Sequence, residues 1–486
     1  MVKSLKRLSV FSRITTMGRA LSFRALSSLA LSSLALSSLI ISSPALSAII
    51  IDISVATNSN TPEAAVANIL NDTPDGVCAT LNSISGELTS DQNHMLVFCD
   101  ALSAADESTT GPAYTALSAR SFTSITSYSA NSFTSFDIGD IAKRLASLRR
   151  SANITTSKSA ALFNTDSPST QLFANENNSQ ARDGGATGGG ASADEAGGLN
   201  DNRLSGFITG TFDDATQDET STLAGYESSV NYLFAGLDYR FSDSIFAGVA
   251  FKTLSGDISL DQNTGAIDIS DNSFSIYGSY YNTQNIYFQS SLTFGQSAYD
   301  ISRKIDFTLN NVDFNETAVS NPDGNGFSFS LSSGYEHYYI DTGITTVTDI
   351  SLAYAKNDID AFTEKAAQGF NLNVNEQSIE SLTSKVGIQV SKAVSTSFGV
   401  VLPEFSAAWK HEFNTDGEEV GAAFSIDPAK TFSFTTDERE SDFFLTSIAA
   451  SVVLPHGIMG FIQYEKLFGI DNYDKSTLNI GARIEF

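Results

Sequence analysis

The chain has 486 residues, with 28 Lys and Arg against 55 Asp and Glu, which gives a net charge of −27 at pH 7. Because proteins that bind nucleic acid gain affinity by neutralising phosphates, this charge argues against a nucleic-acid partner. Charged residues make up only 17% of the chain and hydrophobic residues 41%, which excludes an acidic disordered tail.

Residues 1–48 have the order of a secretory signal peptide. A basic stretch over residues 1–24 is followed by an apolar run over residues 25–41 and then by small residues up to Ser47 and Ala48. A membrane anchor is the alternative, but six serines interrupt the apolar run, whereas a spanning helix needs about 20 predominantly apolar residues. The pattern therefore predicts export, with cleavage at Ser47 and Ala48.

Residues 49–150 are predicted to form a short helical domain. Thr61-Pro62-Glu63 is a helix start, with Thr as the cap and Pro at the first helical position. Thr89 and Gln92 have the spacing of a capping box, and an apolar stripe follows them.

Cys78 and Cys99 are the only cysteines in the chain. In an exported protein such a pair predicts one local disulfide. A zinc site is the alternative, but zinc takes four ligands and only His94 lies nearby.

A second amphipathic pattern lies near the end of this domain, where apolar residues recur at helical spacing and basic residues occupy the other sides. The apolar residues are Ile138, Ile141, Leu145 and Leu148, and the basic ones include Arg144 and Arg149. Core packing in a globular domain is one interpretation of this stripe. Residues 151–202 are rich in Ser, Asn and Gly, which predicts a disordered linker.

From residue 203 to residue 486 the hydrophobic pattern has a period of two. One face of residues 285–295 carries Ile286, Phe288, Leu292 and Phe294, and the other carries Tyr287, Gln289, Ser291 and Thr293. Twelve strands are predicted, starting near residues 203, 226, 244, 268, 285, 326, 343, 377, 396, 440, 458 and 476. Short turns alternate with longer polar, acidic segments such as residues 255–271 and 303–325.

This alternation predicts a membrane all-β fold, a 12-stranded antiparallel transmembrane β-barrel preceded by the small α-helical domain and the linker. One strand face would meet lipid and the other a polar lumen, and closure would pair every strand edge. A soluble sandwich also alternates, but the even strand count and the apolar last strand favour a barrel. Pro403 inside the ninth predicted strand is the main exception.

Residues 203–486 resemble the β-domain of autotransporters, the type V secretion proteins of Gram-negative outer membranes. The matching stretches include GLDYRFSDSIFAGVAFKTLSGDIS, SFSIYGSYYNTQNIYFQSSLTFG and the terminal STLNIGARIEF. Residues 61–150 resemble the helical region that precedes such barrels, with IAKRLASLRR at its end. The resemblance implies an outer-membrane location, export of the N-terminal segment and a helix over Ile138–Leu148 in the pore. It also implies that Phe486, with Ile484 on the same stripe, forms the signal for the outer-membrane assembly machinery.

Sequence patterns of catalysis are absent, since the chain contains no HExxH and no GxSxG. His411 lies beside Glu412 and His337 beside Glu336, but adjacent strand residues point to opposite faces. The prediction is therefore a protein without enzymatic activity, cofactor or metal.

The predicted function is an outer-membrane autotransporter that translocates or displays its own N-terminal segment. Two alternatives stay open, a surface adhesin or structural protein that contacts a host or cell-surface ligand, and a barrel-embedded enzyme. The partners expected in every case are outer-membrane lipids and the barrel assembly machinery.

Overall fold

The structure is a computed structural model. It describes residues 57–59, 61–71, 75–105, 107–133, 141, 203–242, 244–282, 284–454 and 458–485. These residues all belong to the compact unit Ile53–Phe486.

Twelve antiparallel strands close into one barrel. In chain order they are β1 (Leu204–Gln217), β2 (Tyr226–Ser242), β3 (Ile245–Leu260), β4 (Gly265–Tyr281), β5 (Ile286–Leu309), β6 (Asp323–Tyr339), β7 (Ile344–Ile359), β8 (Gln377–Lys392), β9 (Gly399–Glu412), β10 (Asp442–Val453), β11 (Ile458–Phe468) and β12 (Tyr473–Glu485). Each strand pairs with the next along the chain, and β12 pairs with β1. The predicted barrel is confirmed, and each strand begins within three residues of its predicted start.

Pro403 lies inside β9 and is accommodated at the end of a ladder. The pairing of β9 with β8 stops at Glu404, so Pro403 is opposite only Ala450 of β10. Because proline has no N–H to donate, it can occupy a barrel strand where one of the two neighbouring ladders has already ended.

The two faces of the wall differ as predicted in the part of each strand near the short turns. In β5, Phe288 and Phe294 point outward with half of their surface exposed, whereas Gln289 and Thr293 point inward and are buried. Inside the lumen, Thr211 donates a hydrogen bond to Asn479 at 2.7 Å. An apolar outer band and a polar lumen are what a barrel in lipid requires.

The two ends of the barrel differ in their connections. At one end consecutive strands are joined by only a few residues, as between β2 and β3 and between β4 and β5, and the other end has long loops, including residues 360–376 and 413–441. In transmembrane barrels of this kind the short turns face the periplasm and the long loops face the outside. The long-loop end is therefore the extracellular mouth of the barrel.

Toward the mouth the polarity of the two strand faces reverses, so that apolar side chains point inward and polar side chains point outward. In β3, Ile258 and Leu260 point inward and are buried, while Asp257 and Ser259 point outward and are exposed. The segments 255–271 and 303–325, predicted to connect strands, are therefore mostly strand themselves, and the second includes the hairpin strand Val312–Ser320. The prediction was wrong there because water replaces lipid outside the wall, so the polar face turns outward.

Within the residues that the structure describes, five helices precede the barrel, namely α1 (Pro62–Asn71), α2 (Val77–Ser83), α3 (Ser90–Ser103), α4 (Glu107–Leu117) and α5 (Arg120–Phe133). The predicted caps are confirmed, since Thr61 Oγ1 accepts from the Ala64 N–H and Thr89 forms a capping box with Gln92. Of the helices that the structure describes, none is both long enough and apolar enough to cross a bilayer.

Aromatic rings in the lumen lie over glycines of the neighbouring strand. Tyr287 is directly opposite Gly334, and a Cβ placed on that glycine would lie 2.4 Å from the ring. Tyr277 covers Gly248 in the same way, with a distance of 2.6 Å. These glycines make room for the rings, which could not lie flat on the wall over any larger residue.

We expect Gly334→Val to destabilise the barrel by about 1–3 kcal/mol, because the added methyl groups collide with Tyr287 and force the ring away. Denaturant unfolding of the refolded protein in detergent measures the loss. Gly210→Val is the matched control, because the nearest atom to a Cβ at Gly210 lies 4.0 Å away. Equal stability of the two variants would contradict this account of the packing.

Candidate functional site at the barrel mouth

Helix α5 enters the mouth of the barrel and is fastened there at its first residue. The guanidinium of Arg120 lies 2.8 Å from Glu219 and donates to the carbonyls of Thr220 and Leu223, all in the loop between β1 and β2. The same group lies 3.4 Å from Glu63 of α1. Arg120 thus joins two helices to the first loop of the barrel.

The next turns of α5 bind the barrel through short hydroxyl side chains. Thr123 and Ser124 donate hydrogen bonds of 2.8 Å to the carbonyls of Thr222 and Ala224. Deeper in the barrel, Thr126 donates to the side chain of Gln377 on β8 at 2.5 Å. These hydroxyl side chains bind polar groups of the barrel, while Phe122, Ile125 and Tyr128 of the same helix are buried among apolar residues.

Helices α1 to α4, which we call the helical cap, pack on the long loops through a shared apolar core. Phe98 of α3 makes edge contacts with Phe307, Phe314 and Phe370, with ring centroids 5.5–5.9 Å apart. Phe307 and Phe314 come from the extended hairpin of β5, and Phe370 comes from the loop between β7 and β8. The cap and the barrel loops therefore form one hydrophobic unit rather than two touching domains.

A polar pair borders this core. His94 Nε2 of α3 lies 2.9 Å from Glu316 Oε1 on the hairpin strand, and the His94 ring also makes an edge contact with Phe370 at 4.9 Å. Burial raises the pKa of the Glu316 carboxyl, and the neighbouring His94 offsets part of that rise.

A buried arginine of the barrel binds the cap. Arg303 of β5 makes a bidentate pair with Glu364, at 2.9 and 2.6 Å, and both side chains are almost fully buried. The remaining donors of Arg303 reach the carbonyls of Phe370 and Ala116 at 3.0 Å each. Since Ala116 lies in the last turn of α4, Arg303 satisfies a carbonyl that the helix leaves unpaired.

The two longest loops form a small sheet outside the barrel, and a strand of the N-terminal segment completes it. Its order is Thr57–Ser59, Thr431–Thr435, Glu419–Phe424, Leu372–Val374 and Phe362–Thr363. Phe424, Phe432 and Phe434 are fully buried within the shared core. The N-terminal residues are thus attached to the loops by backbone pairing as well as by side chains.

The predicted site residues are placed as follows. Cys78 of α2 and Cys99 of α3 form a disulfide, with Cα atoms 5.6 Å apart. Ile484 of β12 points outward, opposite Gly206 of β1. Ile141 is helical and buried. The remaining predicted residues lie outside the described part of the chain, namely Ser47, Ala48, Ile138, Arg144, Leu145, Leu148, Arg149 and Phe486.

Sequence reasoning missed α5 as the helix at the pore entrance. Its apolar residues Phe122, Ile125 and Tyr128 recur at helical spacing, but Ser and Thr fill most of the other positions, and the pattern over Ile138–Leu148 was interpreted as the pore helix instead. The available signal was its composition, because Ser and Thr predominate and the first residue carries the only charge.

The histidines of the wall do not form catalytic pairs with their neighbours. His411 lies on the outer face, 3.0 Å from Asp442, whereas Glu412 lies on the inner face and accepts a hydrogen bond from Ser381. Among the described residues, no group of three or more His, Cys, Asp or Glu side chains could hold a metal ion.

A closed barrel with a lipid-facing band, a polar lumen and a helical segment of its own at the mouth defines a transmembrane β-barrel. The family model of the autotransporter beta-domain matches residues 206–465 of this chain. The chain therefore belongs to the autotransporter β-domain family, whose barrels are translocator domains in the outer membrane of Gram-negative bacteria. Such a barrel domain is normally non-catalytic.

Rickettsial outer membrane proteins are similar to this chain. Outer membrane protein B of Rickettsia prowazekii (strain Madrid E) is 26% identical over 204 residues, which cover 41% of this chain and 12% of that protein. Outer membrane protein A of Rickettsia conorii is 23% identical over 294 residues, covering 59% and 14%. The chain thus spans about an eighth of the length of these relatives.

Among solved structures, the translocator domain of autotransporter NalP from Neisseria meningitidis is similar to 60% of this chain and 90% of its own. The sequence identity is 15% and the TM-score 0.46.

We expect Arg303→Met to lower the free energy of detaching the helical cap from the barrel loops by about 3–5 kcal/mol. The variant leaves Glu364 buried without its ion-pair partner and leaves the Ala116 carbonyl unpaired. External protease should then cleave the helical cap of the folded protein much faster. Lys304→Met is the matched control on the outer face of the same strand, where Lys304 binds only Asn263. Equal cleavage rates in the two variants would show that Arg303 does not hold the cap.

From the raised pKa of Glu316, which pairs with His94, we predict that the helical cap becomes more resistant to protease as the pH falls. The pKa of Glu316 is higher in the folded protein than the 4.5 of a free glutamate, so the folded state binds the proton more tightly. Stability therefore rises as the pH falls through the folded pKa, and the gain is complete below about 4.5. Glu316→Gln should flatten this dependence, whereas Asp313→Asn on the same strand should preserve it.

Proposed function

We propose that this barrel exports its own N-terminal segment and retains it as the helical cap, with α5 in the lumen, so that the exported segment closes the mouth. The shared core carries this proposal, because Phe98 of the cap and Phe370 of a barrel loop are buried against each other. A passenger destined for release would need no such core with its own translocator.

The direction of the chain supports export through the lumen. The cap lies at the mouth, whereas β1 begins with Leu204 at the end that carries the short turns. The N-terminal segment is thus at the end of the barrel opposite the start of the wall, as expected after outward passage. Its role under this proposal is structural rather than enzymatic.

Cross-linking tests the position of α5. In the double variant Thr126→Cys/Gln377→Cys, a short bifunctional maleimide should join the two residues, because their side chains are in contact. The native cysteines are paired and should not react. Thr126→Cys/Ser378→Cys is the control, since Ser378 is the next residue of β8 and points outward. No cross-link in the first variant, or equal cross-links in both, would contradict a lumenal α5.

We further propose that Phe486 is part of the signal by which the outer-membrane machinery assembles this barrel. Phe486→Ser should slow insertion into the outer membrane while the purified protein keeps its strand content, because the change removes the aromatic residue that follows β12 in the sequence and matches the family's assembly signal. Pulse–chase fractionation measures the rate. Phe468→Ser, at an exposed aromatic position near the mouth, should insert at the normal rate. Normal insertion of Phe486→Ser would refute the assembly signal.

A further inference from the structure

A row of phenylalanines crosses the outer wall at the height where the lipid-facing band ends. Phe251 of β3, Phe274 of β4, Phe294 of β5 and Phe327 of β6 are direct cross-strand neighbours, and the row continues to Lys356 of β7. The rings of Phe294 and Phe327 lie 5.4 Å apart. These side chains form a continuous aromatic strip on the outside of the barrel.

A row of amides lies directly above this strip, toward the mouth. Asn272, Gln296 and Asn325 are cross-strand neighbours on β4, β5 and β6, and the row ends at Asp358, which pairs with Lys356 at 2.9 Å. Within the described part of the chain, the three amide side chains form no hydrogen bond to protein. Three adjacent groups that can both donate and accept are thus available to a ligand.

The two rows border a concavity of about 620 Å³ on the outer wall. Gly295 and Gly326, which face each other across β5 and β6, also line it. We call this surface the Phe–amide groove. Its volume is within the range of about 300–1,000 Å³ that is usual for small-molecule sites.

The groove is uncharged on three strands at the height where the apolar band ends. On β1, β8 and β10 the outward residue at this height is acidic, namely Asp214, Glu380 and Asp442, whereas on β2 it is Asn231. From β4 to β6 it is an amide, and the ammonium of Lys356 lies at the edge. In a chain with a net charge of −27, this is a place where a polar or anionic head group meets little repulsion.

We propose that the Phe–amide groove binds a glycolipid of the outer leaflet. The acyl chains lie along the phenylalanine strip, and the sugar hydroxyls bind Asn272, Gln296 and Asn325. The position at the boundary between lipid and water requires an amphipathic ligand, and the amides match hydroxyl groups in donating and accepting. This inference is independent of the proposed role of the helical cap.

Titration of the purified full-length protein with lipid A, a phosphorylated diglucosamine glycolipid, tests the site. Phosphatidylglycerol serves as the comparison lipid, and native mass spectrometry provides the readout. The triple variant Asn272→Ala/Gln296→Ala/Asn325→Ala should bind lipid A at least about tenfold more weakly, since each hydrogen bond contributes about 0.5–1.5 kcal/mol. The control, Ser229→Ala/Asn231→Ala/Ser384→Ala, changes outward polar residues outside the groove and should bind normally.

Three results would overturn the proposal. These are equal binding of lipid A and phosphatidylglycerol, unchanged binding of lipid A by the triple variant, and a dimer of the chain that occupies the groove and disappears in that variant. Folding is checked by the shift in gel mobility on heating. If the triple variant does not fold, Gln296→Ala alone should weaken binding about threefold, and normal binding by that variant would equally overturn the site.

Discussion

The outer wall of this barrel meets lipid near the short turns and water toward the mouth, and the rest of the structure depends on this change of solvent. On β3, Phe251 points outward into lipid, whereas Ile258 of the same strand points inward. The extended strands therefore present an apolar inner face above the membrane. Such a surface is unstable in water unless something covers it, and the helical cap supplies the cover.

The closure of the mouth uses different interactions at different depths. Apolar contacts of the cap dominate outside the membrane, and hydroxyl groups of α5 bind the barrel loops and Gln377. Two arginines join the helices to the barrel. The partly buried Arg120 of α5 binds loop carbonyls of the barrel, and the buried Arg303 of β5 binds a carbonyl of α4. Removing Arg303 would leave Glu364 buried without its ion-pair partner, which is far more destabilising than losing a surface ion pair.

The sequence predicts the wall well and the mouth poorly, for physical reasons. Strands that alternate against lipid carry a strong pattern, so their starts and faces, including Phe288 and Thr293, were predicted correctly. Above the membrane the strands keep the period of two, but their outward residues are polar. Residues 255–271 and 303–325 were therefore predicted to be loops. The small sheet of the loops consists of strands as short as Phe362–Thr363, which depend on tertiary pairing rather than on local pattern. Helix α5 was missed because its three buried apolar residues, Phe122, Ile125 and Tyr128, lie among Ser and Thr residues that bind the barrel by hydrogen bonds.

The central claim is that the helical cap lies outside the cell, seated on the loops of the barrel that exported it. Labelling of intact cells with a membrane-impermeant maleimide tests this most directly. Val97→Cys, at an exposed position of α3, should be labelled at once, whereas Ile340→Cys, exposed in the turn between β6 and β7, should be labelled only after the outer membrane is permeabilised. Labelling of Val97→Cys only after permeabilisation would place the cap in the periplasm and contradict the account.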